Sequence, residues 1–184
     1  ANSATSIEAS NAQNINVDGS IHPQTILTTA RNNDGKLVNV WDINTWNITN
    51  TFKGHANMVR SVAMYGPRIV SGSEDNTVKV WNNTTDELLN TFDYNSGGHT
   101  GKVSSVAIND TLVVSGSDDK TVKVWNVSNG NLLHDFNIDD SIHTGRVTSV
   151  VSNGSLIVSG SRDNTIKIWN AVSGLLLHTF DDTN

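Results

Sequence analysis

Ser71-Gly-Ser-Glu-Asp-Asn-Thr-Val-Lys-Val-Trp-Asn82 returns as Ser115-Gly-Ser-Asp-Asp-Lys-Thr-Val-Lys-Val-Trp-Asn126 and again as Ser159-Gly-Ser-Arg-Asp-Asn-Thr-Ile-Lys-Ile-Trp-Asn170. The step from 71 to 115 to 159 is 44 residues, a period of repeat architectures built from one supersecondary unit per repeat. After each Asp-containing turn, apolar and polar residues alternate, the period-2 signature of a strand. A histidine, aspartate or serine of this chain must therefore be judged first as part of a repeating frame.

Outward from that block, each unit resolves into four short strands. The second unit predicts them at about Val59–Met64, Ile69–Ser73, Thr77–Trp81 and Glu87–Phe92. The third gives Val103–Ile108, Leu112–Ser117, Thr121–Trp125 and Asn131–Phe136, and the fourth Val147–Val151, Leu156–Ser161, Thr165–Trp169 and Leu175–Phe180. A degenerate first unit has Asn14–Val17, Thr25–Ala30, Leu37–Trp41 and Asn47–Phe52. Residues 1–13 read as a polar N-terminal tail, and 14–184 as one domain with units at about 14–53, 54–97, 98–141 and 142–184. Connections this short imply antiparallel meanders. The second strands are apolar on both sides of the alternation (Ile69 and Val70; Leu112, Val113 and Val114; Leu156, Ile157 and Val158). A lone sheet cannot cover two apolar faces, so neighbours must stack on it, and radial stacking of four-stranded sheets is the β-propeller solution.

Composition narrows function by exclusion. The chain has 184 residues, the size of one domain. It lacks any continuous apolar stretch near the roughly 20 residues that span a bilayer, so no integral membrane role is expected. A formal charge of −6 argues against binding nucleic acid or anionic membrane. The lysines at 79, 123 and 167 form a periodic row that alternation assigns to a solvated outer face. There is no cysteine, hence no disulfide, thiolate metal site or cysteine nucleophile. Sequons at Asn47, Asn82, Asn83, Asn109, Asn126 and Asn153 are read as turn chemistry before glycosylation. No signal peptide is visible, and the cytoplasm is expected slightly ahead of an extracellular or particle-associated location.

The repeated residues resemble the WD-repeat family of β-propellers. Its pattern is Gly-His at the start of a unit, Ser/Thr on the second strand, Asp in the next turn and Trp-Asp closing the third strand. The second unit has Gly54-His55, Ser71, Asp75 and Trp81; the third Gly98-His99, Ser115, Asp119 and Trp125; the fourth His143, Ser159, Asp163 and Trp169, with Ile142 where Gly is usual. Asn follows Trp in these three units, and only Trp41-Asp42 keeps the acid. In the first unit the turn of residues 31–36 is longer, Asp34 only roughly fills the Asp place, and His22 falls in a turn and is not counted, so its network is expected to be incomplete. The resemblance implies a hydrogen-bonded Trp–Ser–His–Asp tetrad per unit, and the chemistry suits it: indole N–H only donates, Ser does both, neutral His offers one of each and Asp accepts.

The rival reading is a nucleophilic triad of His, Asp and Ser. A catalytic constellation occurs once, whereas this set recurs three times, so the chain is expected to be no enzyme and to need no cofactor, metal or small-molecule substrate. His134 and His178, 44 residues apart on fourth strands, are expected on the solvated surface; blade-to-blade separation keeps them from sharing a metal.

Propellers of this family close with more units than four. The expected fold is all-β: four four-stranded antiparallel blades forming half of a larger, about eight-bladed ring completed by a second copy, ahead of a fragment of a longer propeller. The resemblance implies a non-catalytic scaffold for protein–protein interaction, the alternative being a structural protein that self-assembles into a particle or filament. Its partners would be other proteins and a second copy of itself. By analogy two positions per unit reach the docking rim: Arg60 and Glu74, Ser104 and Asp118, Thr148 and Arg162. Trp46, the one tryptophan outside the repeat phase, is a further candidate contact.

Overall fold

The computed structural model describes residues 25–30, 35–42, 44–137 and 142–181. They form fifteen strands and one short 3-10 turn, Tyr94–Ser96. The first blade holds β1 (Thr25–Ala30), β2 (Leu37–Asp42) and β3 (Asn47–Phe52), and the second β4 (Val59–Tyr65), β5 (Arg68–Ser73), β6 (Val78–Asn82) and β7 (Leu88–Phe92). The third holds β8 (Val103–Ile108), β9 (Leu112–Ser117), β10 (Val122–Asn126) and β11 (Leu132–Asp135). The fourth holds β12 (Val147–Ser152), β13 (Leu156–Ser161), β14 (Thr165–Asn170) and β15 (Leu176–Asp181). Each is an antiparallel meander, four-stranded in the last three blades and three-stranded in the first among the described residues. The strand expected at Asn14–Val17 and His22 lie outside the described residues.

Local chemistry explains why the strands turn where they do. At the third-to-fourth strand turn, the side chain of Asn82 accepts the backbone N–H groups of Thr84 and Thr85, at 2.8 and 3.3 Å. Asn126 and Asn170 repeat this, and Asp42 does the same for Asn44 and Thr45. An Asx turn needs only a side-chain oxygen, which is why Asn replaces the family's Asp after Trp without changing the turn. Four residues after each of these asparagines, the backbone is left-handed at Asp86, Gly130 and Gly174 (φ 59°, 74° and 72°).

The blades are joined by stacked apolar faces. Val38, Val40 and Phe52 of the first pack on Val59, Val62, Ile69 and Trp81 of the second. Val78, Val80 and Phe92 of the second meet Val103, Val106, Val113 and Trp125 of the third. Val122, Val124 and Phe136 of the third meet Val147, Val150, Ile157 and Trp169 of the fourth. At the centre of each joint a phenyl ring lies on the next blade's indole. Phe92 is 4.6 Å from Trp125 and Phe136 4.2 Å from Trp169, both nearly parallel, while Phe52 tilts against Trp81 at 5.3 Å. Each such pair contributes about 0.5–1.5 kcal/mol beyond its buried area.

Two surface assignments are corrected. Lys79, Lys123 and Lys167 are only 8, 6 and 6 % exposed rather than solvated. The alternation holds, but both faces of an inner strand are covered here, so the stems are buried while the ammonium groups bond across to the fourth strand. Lys79 Nζ donates to Thr91 Oγ1 at 3.0 Å, Lys167 Nζ to Thr179 Oγ1 at 3.2 Å, and Lys123 pairs with Asp135. Asn39 holds the same place in the first blade, accepting from Thr51 Oγ1. His134 likewise is half-buried: it stacks over Phe136 and presses on Gly174 of the next blade. His178, in the last blade, is exposed.

Candidate interaction face and its polar network

The polar network can be built one proton at a time. Trp81 Nε1–H can only donate, and it does so to Ser71 Oγ at 2.9 Å. The Ser71 hydroxyl then has His55 Nε2 as its acceptor, at 2.8 Å. A neutral ring accepting at Nε2 carries its proton on Nδ1, which donates to Asp75 Oδ2 at 2.8 Å. The fourth blade is the same: Trp169 to Ser159 at 3.0 Å, Ser159 to His143 at 2.8 Å, and His143 to Asp163 at 2.9 Å. In the third, His99 lies 2.6 Å from Ser115 and 2.9 Å from Asp119, but Trp125 Nε1 is buried with no hydrogen-bond partner. That network is a triad, with its indole held by packing, stacked on Phe92 and edge-on to His99.

Each carboxylate is saturated. Asp75 Oδ2 also accepts the Ala56 N–H, and Oδ1 accepts the N–H and hydroxyl of Thr77, at 2.9 and 2.6 Å. Thr121 and Thr165 repeat the pattern. Burial pushes these carboxyls up, yet the bonds from His and Thr outweigh it and hold Asp75, Asp119 and Asp163 well below the usual carboxylate range. Burial pushes His143 down despite Asp163 beside it, which keeps the ring neutral. The threonines are network members that sequence reasoning missed; their signal was the invariant Thr in the opening block. Both ring nitrogens of each His are occupied, the serine oxygens are buried, and the three sets lie in separate sheets. Among the described residues no cluster of His, Asp or Glu could hold a metal ion.

Three of the six rim candidates sit on bulges. Register shifts between Val59 and Ser61, Val103 and Ser105, and Val147 and Ser149 leave Arg60, Ser104 and Thr148 without a strand partner, which re-aims their side chains. Glu74 bridges Arg60 of its own blade and Lys102 of the next, the latter at 2.8 Å, and Lys102 chiefly lowers its pKa. Ser104 is turned inward, donating to the carbonyls of Gly116 and Val147, so it offers little to a partner. Asp118 is half-buried; Thr148, bonded to the Gly160 carbonyl, and Arg162 are exposed. Beside this rim a cleft of about 520 Å³ lies between the second and third blades, lined by Asp75, Asp93, Tyr94 and His99, with Tyr94 exposed. The linker from Phe92 to His99 is four residues longer than that from Phe52 to His55, and this excess was the available signal.

Trp46 belongs elsewhere. It lies in the turn between β2 and β3, at the opposite sheet end from the turn holding Glu74. It is 66 % exposed and left-handed (φ 55°), at the position Asp86, Gly130 and Gly174 hold in other blades. A bulky residue is a genuine outlier there.

Sheets tied in this way and stacked through Phe–Trp joints define a β-propeller of repeated blades. The family model for the WD domain, G-beta repeat, matches residues 46–82, 87–126 and 134–170, more than half of the chain, and the chain belongs to the WD-repeat family. It is 35 % identical over 63 residues to the probable coatomer subunit beta' of Schizosaccharomyces pombe, a match covering 33 % of this chain and 8 % of that protein. The crystal structure of the computationally designed Ika8 protein is similar with a TM-score of 0.74 and 31 % identity, over 88 % of this chain and 48 % of that one. The chain thus spans less than half the length of either. Among the described residues no helix is long and apolar enough to cross a membrane.

Proposed function

We propose that the chain is a non-catalytic scaffold for protein–protein interaction, whose stacked blades hold contact residues at both sheet ends. The observation that carries this reading is Trp46. A large apolar side chain stands exposed in a backbone conformation that the equivalent turns give to Gly or Asp, and such strain is retained where a side chain has a use. A tryptophan supplies the rigid aromatic anchor on which interface hot spots centre. The opposite end offers Arg60, Lys102, Asp118, Thr148 and Arg162, a charge-mixed rim around the Tyr94 cleft. The polar networks add no chemistry of their own, since His55, His99 and His143 are each spent inside their blades. The coatomer likeness supports protein partners in a general way and favours a cytoplasmic setting.

The same reading includes self-association: two copies completing a ring of about eight blades at about 45° each. A structure of the same blade type that is about twice as long, matched over 48 % of its chain, supports that count. The test is to compare parent, Trp46→Gly and Arg162→Glu as bait for binding proteins, with thermal unfolding in parallel. A partner lost from one variant that remains folded supports the scaffold. Turnover that vanished with His99→Gln in a folded chain would refute it.

A further inference from the structure

Two joints inside the chain, second to third blade and third to fourth, use one set of contacts, and the fourth blade presents that set with nothing seated on it among the described residues. At a joint the earlier blade offers a glycine under a pair of valines from the next blade's first strand. A Cβ on Gly72 would meet Val103 Cγ1 at 2.5 Å and Val106 Cγ1 at 2.8 Å; on Gly116 it would meet those of Val147 and Val150 at 2.5 and 2.9 Å. A serine of the earlier blade then takes a backbone proton from that strand: Val106 N–H donates to Ser61 and Val150 N–H to Ser105, both at 3.1 Å. A Val and a Phe complete the seat.

The fourth blade repeats each part. Ser149 follows Ser61 and Ser105 at the same period but is exposed. Gly160 follows Gly72 and Gly116, but nothing among the described residues lies within 4 Å of a Cβ placed on it. Ile166 is 48 % exposed where Val78 and Val122 are 1 %, and Phe180 is 51 % exposed where Phe92 and Phe136 are 2 and 6 %. Gly160 lacks a left-handed backbone, so neither its conformation nor its surroundings among the described residues call for glycine. A valine pair docked from outside would.

We infer that this open face, formed by Ser149, Gly160, Ile166 and Phe180, is the seat for the first blade of a second copy, joined as the chain's own blades are joined. The inference rests on the ring reading above and names its joint. The first blade has the matching register: β1 sets Ile26 opposite Trp41, as Ile69 stands opposite Trp81, Val113 opposite Trp125 and Ile157 opposite Trp169. In the three internal joints those are the pairs a blade turns toward its predecessor. Phe180 would lie on Trp41 of the partner subunit as Phe136 lies on Trp169. Each copy has one seat and one first blade, so two joints close a twofold ring.

The test is sedimentation equilibrium of the full chain, its Gly160→Ala variant and Phe180→Ala, with circular dichroism to check folding. The parent should be a dimer. Gly160→Ala should keep the parent's spectrum and weaken association roughly 100-fold, and Phe180→Ala at least about tenfold. A parent monomeric at every concentration overturns both the seat and the ring. A parent dimer that neither variant weakens overturns the seat and leaves the ring to another surface. A ladder of larger masses abolished by both variants supports the seat and replaces the closed ring with an open filament. Should Gly160→Ala fail to fold, Phe180→Ala decides alone.

Discussion

Phe136 and Phe180 end nearly the same pentapeptide, Leu-Leu-His-Asp-Phe and Leu-Leu-His-Thr-Phe, one repeat apart. Phe136 lies flat on Trp169 at 4.2 Å, whereas Phe180 stands edge-on to His178 at 4.4 Å and is half in solvent. The histidines diverge in the same way: His134 is pressed on Gly174, and His178 is exposed. A blade in this architecture does not own its core. Half of that core is contributed by its successor, so identical residues are core in one blade and surface in the next.

The largest expected effect contrasts those two rings. Phe136→Ala should cost about 4 kcal/mol, the loss of a buried aromatic with its cavity, while Phe180→Ala in the dilute monomer should cost about 1 kcal/mol. Urea titration measures both, and equal losses would mean that the fourth face is already covered in the isolated chain. Asp119→Ala should cost roughly 1–3 kcal/mol by leaving the His99 N–H unpaired in a buried site. Stability unchanged in the same titration would refute the structural role of the network.

A pH series sharpens the contrast between network and surface carboxylates. The three network aspartates have folded pKa values below their unfolded ones. Their stabilisation is therefore complete above the ordinary Asp value, near pH 4, and is lost as pH falls through the folded values. His143 is also lowered, so the unfolded chain takes up its proton first, and stability should begin to decline below about pH 6.5. The urea midpoint should fall gently from pH 6.5 to 5 and steeply below 4; a flat profile to pH 3 would contradict it. The smallest effect has the opposite sign. Trp46→Gly should raise stability by about 1 kcal/mol by relieving the left-handed strain, seen as a higher melting temperature.

Much of the fold was legible from the opening block. Its period set the number of units, its alternation placed strands within a residue or two of where they lie, and the family resemblance named Trp, Ser, His and Asp side chains that, Trp125 apart, stand within hydrogen-bond reach. What escaped reading involved a second sheet. The lysine row is buried because the next layer covers the face that alternation called outer, and no pattern along one strand can report that. Trp125 stands between Val and Asn as Trp81 does, yet its N–H has no acceptor, and the local sequence does not report that. Gly72 and Gly160 are the same letter, and only the valines beside one of them say why it is glycine.

Hydrogen-bond capacity and the two-residue rise of a strand are properties of the chain itself, so periodicity settled the blade and its turns, and the family resemblance implied its polar frame. Burial is a property of whatever stands next to the chain. Which lysines and histidines are covered, which rim positions bulge outward and which face stays open were decided only when the sheets stacked, because each blade borrows half its interior from another.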